Sequence, residues 1–216
     1  HALNQKAVAR RYAKSIGKKY EELNLIVVHL GGGISVGAHR KGLVIDVNNA
    51  LNGEGPISPE RAGTVPSEAL ATLCFSGKYT LNEVKKMLHG KAGLAAYLGT
   101  SDMITIEEKA IEGKEPYKTL VAAMDYTVAK EIGAMFVALK GQCDAIILTG
   151  GIAYSDYCVA DIKEQIEYLC KVVVLPGENE MESLAENAFG ALTGELPVLT
   201  YTGVSCAEEI PGMAEA

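Results

Sequence analysis

Residues 27–37 read Val27-Val28-His29-Leu30-Gly31-Gly32-Gly33-Ile34-Ser35-Val36-Gly37, VVHLGGGISVG. Before the glycines, LNLIVVHL (23–30) is an apolar run rich in β-branched residues and of strand length. After them, ISVGAHRKG (34–42) is a second such run, with a turn read at His39–Gly42, and LVIDVNNAL (43–51) is a third. Strands joined by links this short pair antiparallel. Glycine loses more backbone entropy on folding than any other residue, so three in succession need a reason. A turn without side chains can point backbone N–H groups at a bound anion.

Working outward, Leu3 to Tyr20 reads as a helix, with Leu3, Ala7, Tyr12 and Ile16 on a loose apolar stripe. NGEGPISPERAGTVP (52–66) holds three prolines and three glycines and is a long loop, a feature associated with function or disorder. Helices are expected at 67–75, 80–89, 93–98 and 101–111, so that 52–116 forms a loop and helical insertion. From Tyr117 to Lys140, Leu120, Val121, Met124, Val128, Ile132, Met135, Phe136 and Leu139 share one helical face. DAIILTGG (144–151) then reads as a strand ending in Gly-Gly, followed by a helix near 156–169, the strand KVVVL (171–175), the loop PGENE and a helix over 181–193. Strand–helix–strand implies parallel crossovers. The expected class is α/β, a mixed five-stranded sheet in the order β-β-β-α-β-α-β-α, with one domain over 1–197 and a tail over 198–216.

The chain has 216 residues, a net charge of -7 and a pI near 5.2, with no basic stripe, which argues against a nucleic-acid partner. No apolar run is long enough to span a membrane. Five cysteines without a CxxC pair are read as reduced, mostly buried thiols of a cytoplasmic protein. The first glycine loop lies inside a meander rather than before a crossover helix, which argues against a dinucleotide-binding dehydrogenase.

Two of these words resemble motifs of one family. HLGGG (29–33) is similar to the HLGNG motif of acetate kinases, and LTGGI (148–152) to their adenosine motif FTGGI. The opening HALNQKAVARRYA, the loop GPISPERAGTVP and the segment ENEMESLAENAFGAL resemble the butyrate kinase branch of the same acetokinase family, and the resemblance runs from His1 to about Pro197. It implies the actin-like ATPase (ribonuclease H-like) fold of the acetate and sugar kinase, heat-shock chaperone and actin superfamily. It implies ATP/ADP and Mg2+ as cofactors and reversible phosphoryl transfer from ATP to butyrate, giving butanoyl phosphate. The alternatives are a branched-chain or other short-chain (acetate or propionate) kinase, and a non-catalytic nucleotide-binding module of the same fold. Family enzymes have two such domains around a cleft, and one meander is visible here. The chain is therefore expected to be the C-terminal domain, inactive alone, with the missing N-terminal domain as partner and a homodimer or higher homo-oligomer as its assembly.

The resemblance also assigns residues. Gly31, Gly32 and Gly33 would cradle phosphate, with Gly32 where acetate kinases have Asn. His29 would orient or donate to the phosphate. His1 matches the first histidine of HGTSH, which contacts the transferred phosphoryl, while Gln5 replaces the second. Arg61 would face the phosphoryl and acyl groups, since a guanidinium stays charged and holds two anionic oxygens at once. Glu180 would stand near the magnesium ion, with Glu178 and Glu182 as close rivals. Gly150, Gly151 and Ile152 would approach the adenosine, and Asp102 and Met103 the nucleoside, although Asp102 is equally placed to cap a helix. His39, His89 and the thiols suggest only packing or surface roles. On the last helix (181–193), Met181, Leu184, Ala188 and Leu192 share a face; the resemblance implies that this helix packs on the missing N-terminal domain, so the face is expected to be partly uncovered here or covered by a partner chain.

Overall fold

The computed structural model describes residues 1–177, 180–196, 198 and 200. It divides into two compact units, residues 1–179 and 180–216. The first is built on a five-stranded sheet of β1 (Asn24–Leu30), β2 (Ile34–Arg40), β3 (Leu43–Val47), β4 (Ala145–Gly150) and β5 (Val172–Pro176). The strand order is β3-β2-β1-β4-β5; β1 pairs antiparallel with β2 and parallel with β4, and β4 pairs parallel with β5. The expected meander and crossovers are thus both present in one mixed sheet. Around it lie α1 (Ala2–Ser15), α2 (Ser67–Phe75), α3 (Leu81–Leu88), α4 (Leu94–Leu98), α5 (Met103–Ile111), α6 (Tyr117–Ala138) and α7 (Asp156–Ile166).

All seven residues of β1 are buried because the strand is central and covered on both faces. Alternate side chains serve two cores, as the period of two requires. Ile26, Val28 and Leu30 pack with Ile146 and Leu148 of β4 against Val121, Met124, Val128 and Ile132 of α6 and Ile162 of α7. Leu25 and Val27 pack on the other face with Ala145 and Ile147 against Val8, Ala9 and Tyr12 of α1. Position 29 falls on the α1 face, so the alternation carries His29 beneath the start of that helix.

The helix expected over Leu3–Tyr20 ends at Ser15, and the one expected near 156–169 ends at Ile166; two further boundaries differ for a visible reason. The turn after β2 is confined to Lys41 and Gly42, with φ of +50° and +87°, because His39 is held in the strand by buried partners. β3 stops at Val47 rather than Leu51. The Asn48 side chain takes the place of a paired peptide, accepting from the Val36 N–H at 2.7 Å and donating to the Ile34 carbonyl at 3.0 Å, and the chain leaves the sheet there. The thiols differ as well: among the described cysteines Cys158 is buried, Cys143 and Cys170 are half-buried and Cys74 is exposed. Cys206 and almost all of the expected tail lie outside the described residues.

The second unit is described by α8 (Glu180–Thr193), on which Met181, Leu184, Ala188 and Leu192 are exposed. Among the described residues no helix is long and apolar enough to cross a membrane.

Candidate active site

The carboxyl ends of β1 and β4 lie side by side, with His29 opposite Thr149 in the parallel register. Both glycine words therefore open at the same edge of the sheet, where α/β proteins bind ligands. A pocket of about 480 Å³ lies there, lined by Gly31, Gly32, Asp102, Met103, Gly151 and Ile152. Four separate segments of sequence meet in it. Pro59, Ser101, Glu107 and Tyr154 line it as well and were not singled out in the sequence.

The Gly31–Gly33 loop is not the left-handed turn its composition suggests, since none of its three residues has positive φ. Packing within the chain does not strictly demand glycine there either, since the nearest atom is the end of a flexible side chain and the others lie at ordinary contact distance. A Cβ on Gly32 would stand 3.2 Å from Glu60 Oε2, and one on Gly33 would stand 3.6 Å from the Ala50 carbonyl and 3.8 Å from Arg61 Nε. The loop is pinned from the 52–66 segment. The Gly32 carbonyl accepts from the Glu60 N–H at 3.0 Å and from the fully buried Ser58 hydroxyl at 2.7 Å. Because the peptide is planar and trans, the N–H of Gly33 points the opposite way, away from that segment.

Gly150 is different. Its φ is +94°, and a Cβ there would lie 2.4 Å from the Leu30 carbonyl oxygen and 2.8 Å from Leu30 N. Only glycine lets the end of β4 approach the backbone of β1 so closely. Gly150 also exchanges two backbone hydrogen bonds with Gly177, which ties this turn to the segment after β5. Gly33 and Gly150 do not line the nucleotide-sized pocket; they set the backbone at its edge.

Arg61 is held over the first loop. Its Nε donates to the Ala50 carbonyl at 3.3 Å, its Nη1 donates to the Glu60 carbonyl at 3.2 Å, and the Glu60 carboxylate lies 3.6 Å from Nη1. Glu60 also accepts from the Ser101 hydroxyl at 3.3 Å. The SPER tetrapeptide (58–61) thus supplies three side chains, of which sequence reasoning picked only the arginine. The crowding of a serine, an acid and a base between two prolines was the available signal.

Beyond Ala50 lies a second pocket of about 550 Å³, lined by His1, Gln5, Ser35, Val44, Val47 and Leu51. His1 and His29 meet edge to face, with ring centroids 5.0 Å apart. Burial pushes the His29 imidazole down to about 4, so it is neutral near pH 7, and its Nδ1 is 2.7 Å from Asn4 Nδ2. Asp102 caps α5, accepting from the Ile104 N–H at 3.3 Å and the Thr105 hydroxyl at 2.6 Å, and the Thr105 bond holds its carboxyl below the ordinary range. Glu180 opens α8; its side chain, like residues 178–179, lies outside the described residues. Among the described residues no three metal-ligating side chains converge, so no protein-only metal cage is present.

A mixed sheet with an antiparallel meander extended by parallel crossovers, and a pocket between two glycine turns, is the actin-like (ribonuclease H-like) fold. Acetate kinase from Porphyromonas gingivalis superposes with a TM-score of 0.78 at 21% identity, covering 88% of this chain and 54% of that structure. A propionate kinase from Francisella tularensis gives 0.76 at 22% identity, with 85% and 53% covered. The acetokinase family model matches residues 1–190, and the chain belongs to that family. Among curated relatives, probable butyrate kinases from Phocaeicola vulgatus and Bacteroides thetaiotaomicron are 72% and 57% identical over 201 residues, 93% of this chain. The chain spans 57% of the length of each of them.

Proposed function

We propose that this chain is the nucleotide-binding half of a butyrate kinase, moving a phosphoryl group between ATP and butyrate. The observation that carries the proposal is the position of Arg61. It stands at the glycine loop, which borders the first pocket, and bonds Ala50, which borders the second. A cation between two anion sites is what transfer between two negatively charged reactants needs, because both must be brought together and the developing charge offset.

The nucleotide base would lie near Ile152 and Met103, with the phosphates directed along Gly31 and Gly32. The carboxylate substrate would enter the second pocket, its alkyl chain against Val44, Val47 and Leu51 and its head toward His1 and Arg61. Neutral His29 would orient His1 through the edge-to-face contact. Mg2+ takes few protein ligands and is carried largely by phosphate oxygens and water, which fits a site with single carboxylates. Glu60, beside the glycine loop, would be such a carboxylate, and the ion would offset charge on the β- and γ-phosphates. The remaining length of the relatives would supply a further domain closing over this edge, without which the chain would be inactive. Assembly as a homodimer or larger homo-oligomer and a cytoplasmic location, where ATP is abundant, belong to the same reading.

The alternative of another short-chain kinase is tested together with it. Acyl phosphate is trapped with hydroxylamine while the full-length protein turns over ATP with acetate, propionate, butyrate or isobutyrate. Highest kcat/KM with butyrate is expected; preference for another acid would reassign the substrate. No acyl hydroxamate from any acid would leave the non-catalytic nucleotide module as the better reading.

A further inference from the structure

On the α1 face, β2 presents Ser35, Gly37 and His39, paired across from His29, Val27 and Leu25 of β1. All three are buried, and Gln5 of α1, itself 2% exposed, reaches into the gap that Gly37 leaves. A Cβ at position 37 would lie 2.7 Å from Gln5 Oε1. A continuous hydrogen-bonded line results: Tyr20 hydroxyl to His39 Nδ1 at 2.7 Å, His39 Nε2 to Gln5 Oε1 at 2.8 Å, Gln5 Nε2 to Ser35 Oγ at 3.1 Å, and Ser35 Oγ to His1 Nδ1 at 2.8 Å.

The proton directions in this line start from one backbone group and are completed by the need to satisfy the buried Ser35 hydroxyl. The Val27 carbonyl, 3.1 Å from Gln5 Nε2, can only accept. The Gln5 amide must therefore turn its NH2 toward Val27 and Ser35 and its carbonyl toward His39. A neutral His39 must then carry its proton on Nε2 and accept at Nδ1 from Tyr20. Ser35 Oγ, nearer to Gln5 Nε2 than the Ser35 carbonyl at 3.4 Å, accepts from the amide, and a second proton donated to it by His1 would leave the buried Ser35 hydroxyl proton without a partner; that proton is therefore assigned to His1 Nδ1. His1 is left with its proton on Nε2.

We infer that Gln5 and Ser35 are positioning residues that fix His1 in its Nε2–H tautomer, keeping it a hydrogen-bond donor toward the carboxylate-phosphoryl site. The inference deepens the kinase reading above and rests on it for the purpose of the donor. A histidine with the proton on Nδ1 would turn a lone pair toward an anionic oxygen. The network supplies in advance the protonation pattern that an anion requires, without an imidazolium. The loss of a second motif histidine at position 5 has this counterpart: glutamine reads the Val27 carbonyl, which histidine has no amide to do.

The test is spectroscopic. The full-length protein is labelled with 15N-histidine, and long-range proton–nitrogen correlation assigns the tautomer of each ring, with S35A, S35T and Q5L as variants and H1Q to assign the signals. Wild type and S35T are expected to show His1 with a pyrrole-type Nε2 and a pyridine-type Nδ1. S35A and Q5L are expected to show both tautomers, and Y20F should leave His1 unchanged because Val27 sets the direction. S35A is further expected to lower kcat about tenfold with the KM for ATP unchanged, and S35T to restore it. A mixed tautomer at His1 in wild type, or a single Nε2–H tautomer retained in S35A and Q5L, overturns the inference. The tautomer readout needs no substrate, so an intact relay in a protein that makes no acyl phosphate would sink the kinase reading alone.

Discussion

The two glycine turns at the ligand edge are the same word in sequence and different devices in structure. At 31–33 the backbone is ordinary, and the nearest obstruction to a Cβ on Gly32 is the end of a flexible glutamate. At Gly150 the backbone is left-handed and the obstruction is the main chain of Leu30. The first turn is glycine for the sake of what comes near it, the second for the sake of the sheet. A glycine motif thus has to be divided, position by position, into what the fold requires and what a ligand would require.

Substitutions separate the two turns. The largest effect is expected at the first turn, on catalysis alone: Arg61→Ala should lower phosphoryl transfer by about 10³-fold in the full-length enzyme. Its denaturation midpoint should stay close to wild type, since the guanidinium's partners are two carbonyls and one partly exposed carboxylate. Next comes the second turn, on stability: Gly150→Ala should cost about 3 kcal/mol, from a strained φ and a backbone contact that cannot yield. Urea unfolding measures it, and an unchanged midpoint would return Gly150 to the ligand. Gly32→Ala should lower ADP affinity by about tenfold in calorimetry while changing stability by less than about 0.5 kcal/mol. A large stability loss there would erase the distinction between the turns.

The surroundings of the turns also differ in how they respond to pH. Burial lowers both His29 and His39 to about 4, whereas unfolded histidine takes up its proton near 6.5. The stability they contribute is complete above about 6.5 and is lost as pH falls toward 4. Asp125 on α6 is fully buried, with the Cys158 thiol of α7 as its one weak neighbouring donor, and burial, aided by the charge of Asp161, pushes its carboxyl up to about 8. The folded state holds that proton after the unfolded state has released it, so stability falls as pH rises from about 4 to 8. Of these three groups, only the aspartate still contributes a slope between pH 7 and 8. Asp125→Asn should flatten it, and an unchanged slope in thermal unfolding would assign it elsewhere.

Much of this was legible in the sequence because periodicity reports faces. The alternation in β1 and the stripe on α6 announce the sheet and its cover, and HLGGG and LTGGI each announce a strand end, the two of which lie side by side at one edge next to a pocket. What the sequence hides is contact across segments. Asn48 ends β3 by imitating a peptide, which no local propensity records. Glu60 and Ser58 become part of the site only when the proline-rich loop folds back on Gly32. His39, which sequence reading left to packing, sits in register opposite Leu25 with Gln5 and Tyr20 on either side of its ring. The pattern Ser-x-Gly-x-His in ISVGAHR places three such residues on one strand face and was the signal for it.

Above all, the edge between the two glycine turns is proposed as a nucleotide site. It is tested most directly by titrating Mg·ADP into the 15N-labelled protein and mapping amide shifts. The account predicts saturable changes at Gly31, Gly32, Asp102, Met103, Gly151 and Ile152, with those around Phe75 and Tyr79 of the helical insertion unmoved. Saturable changes confined to another face, or none at millimolar nucleotide, would contradict it.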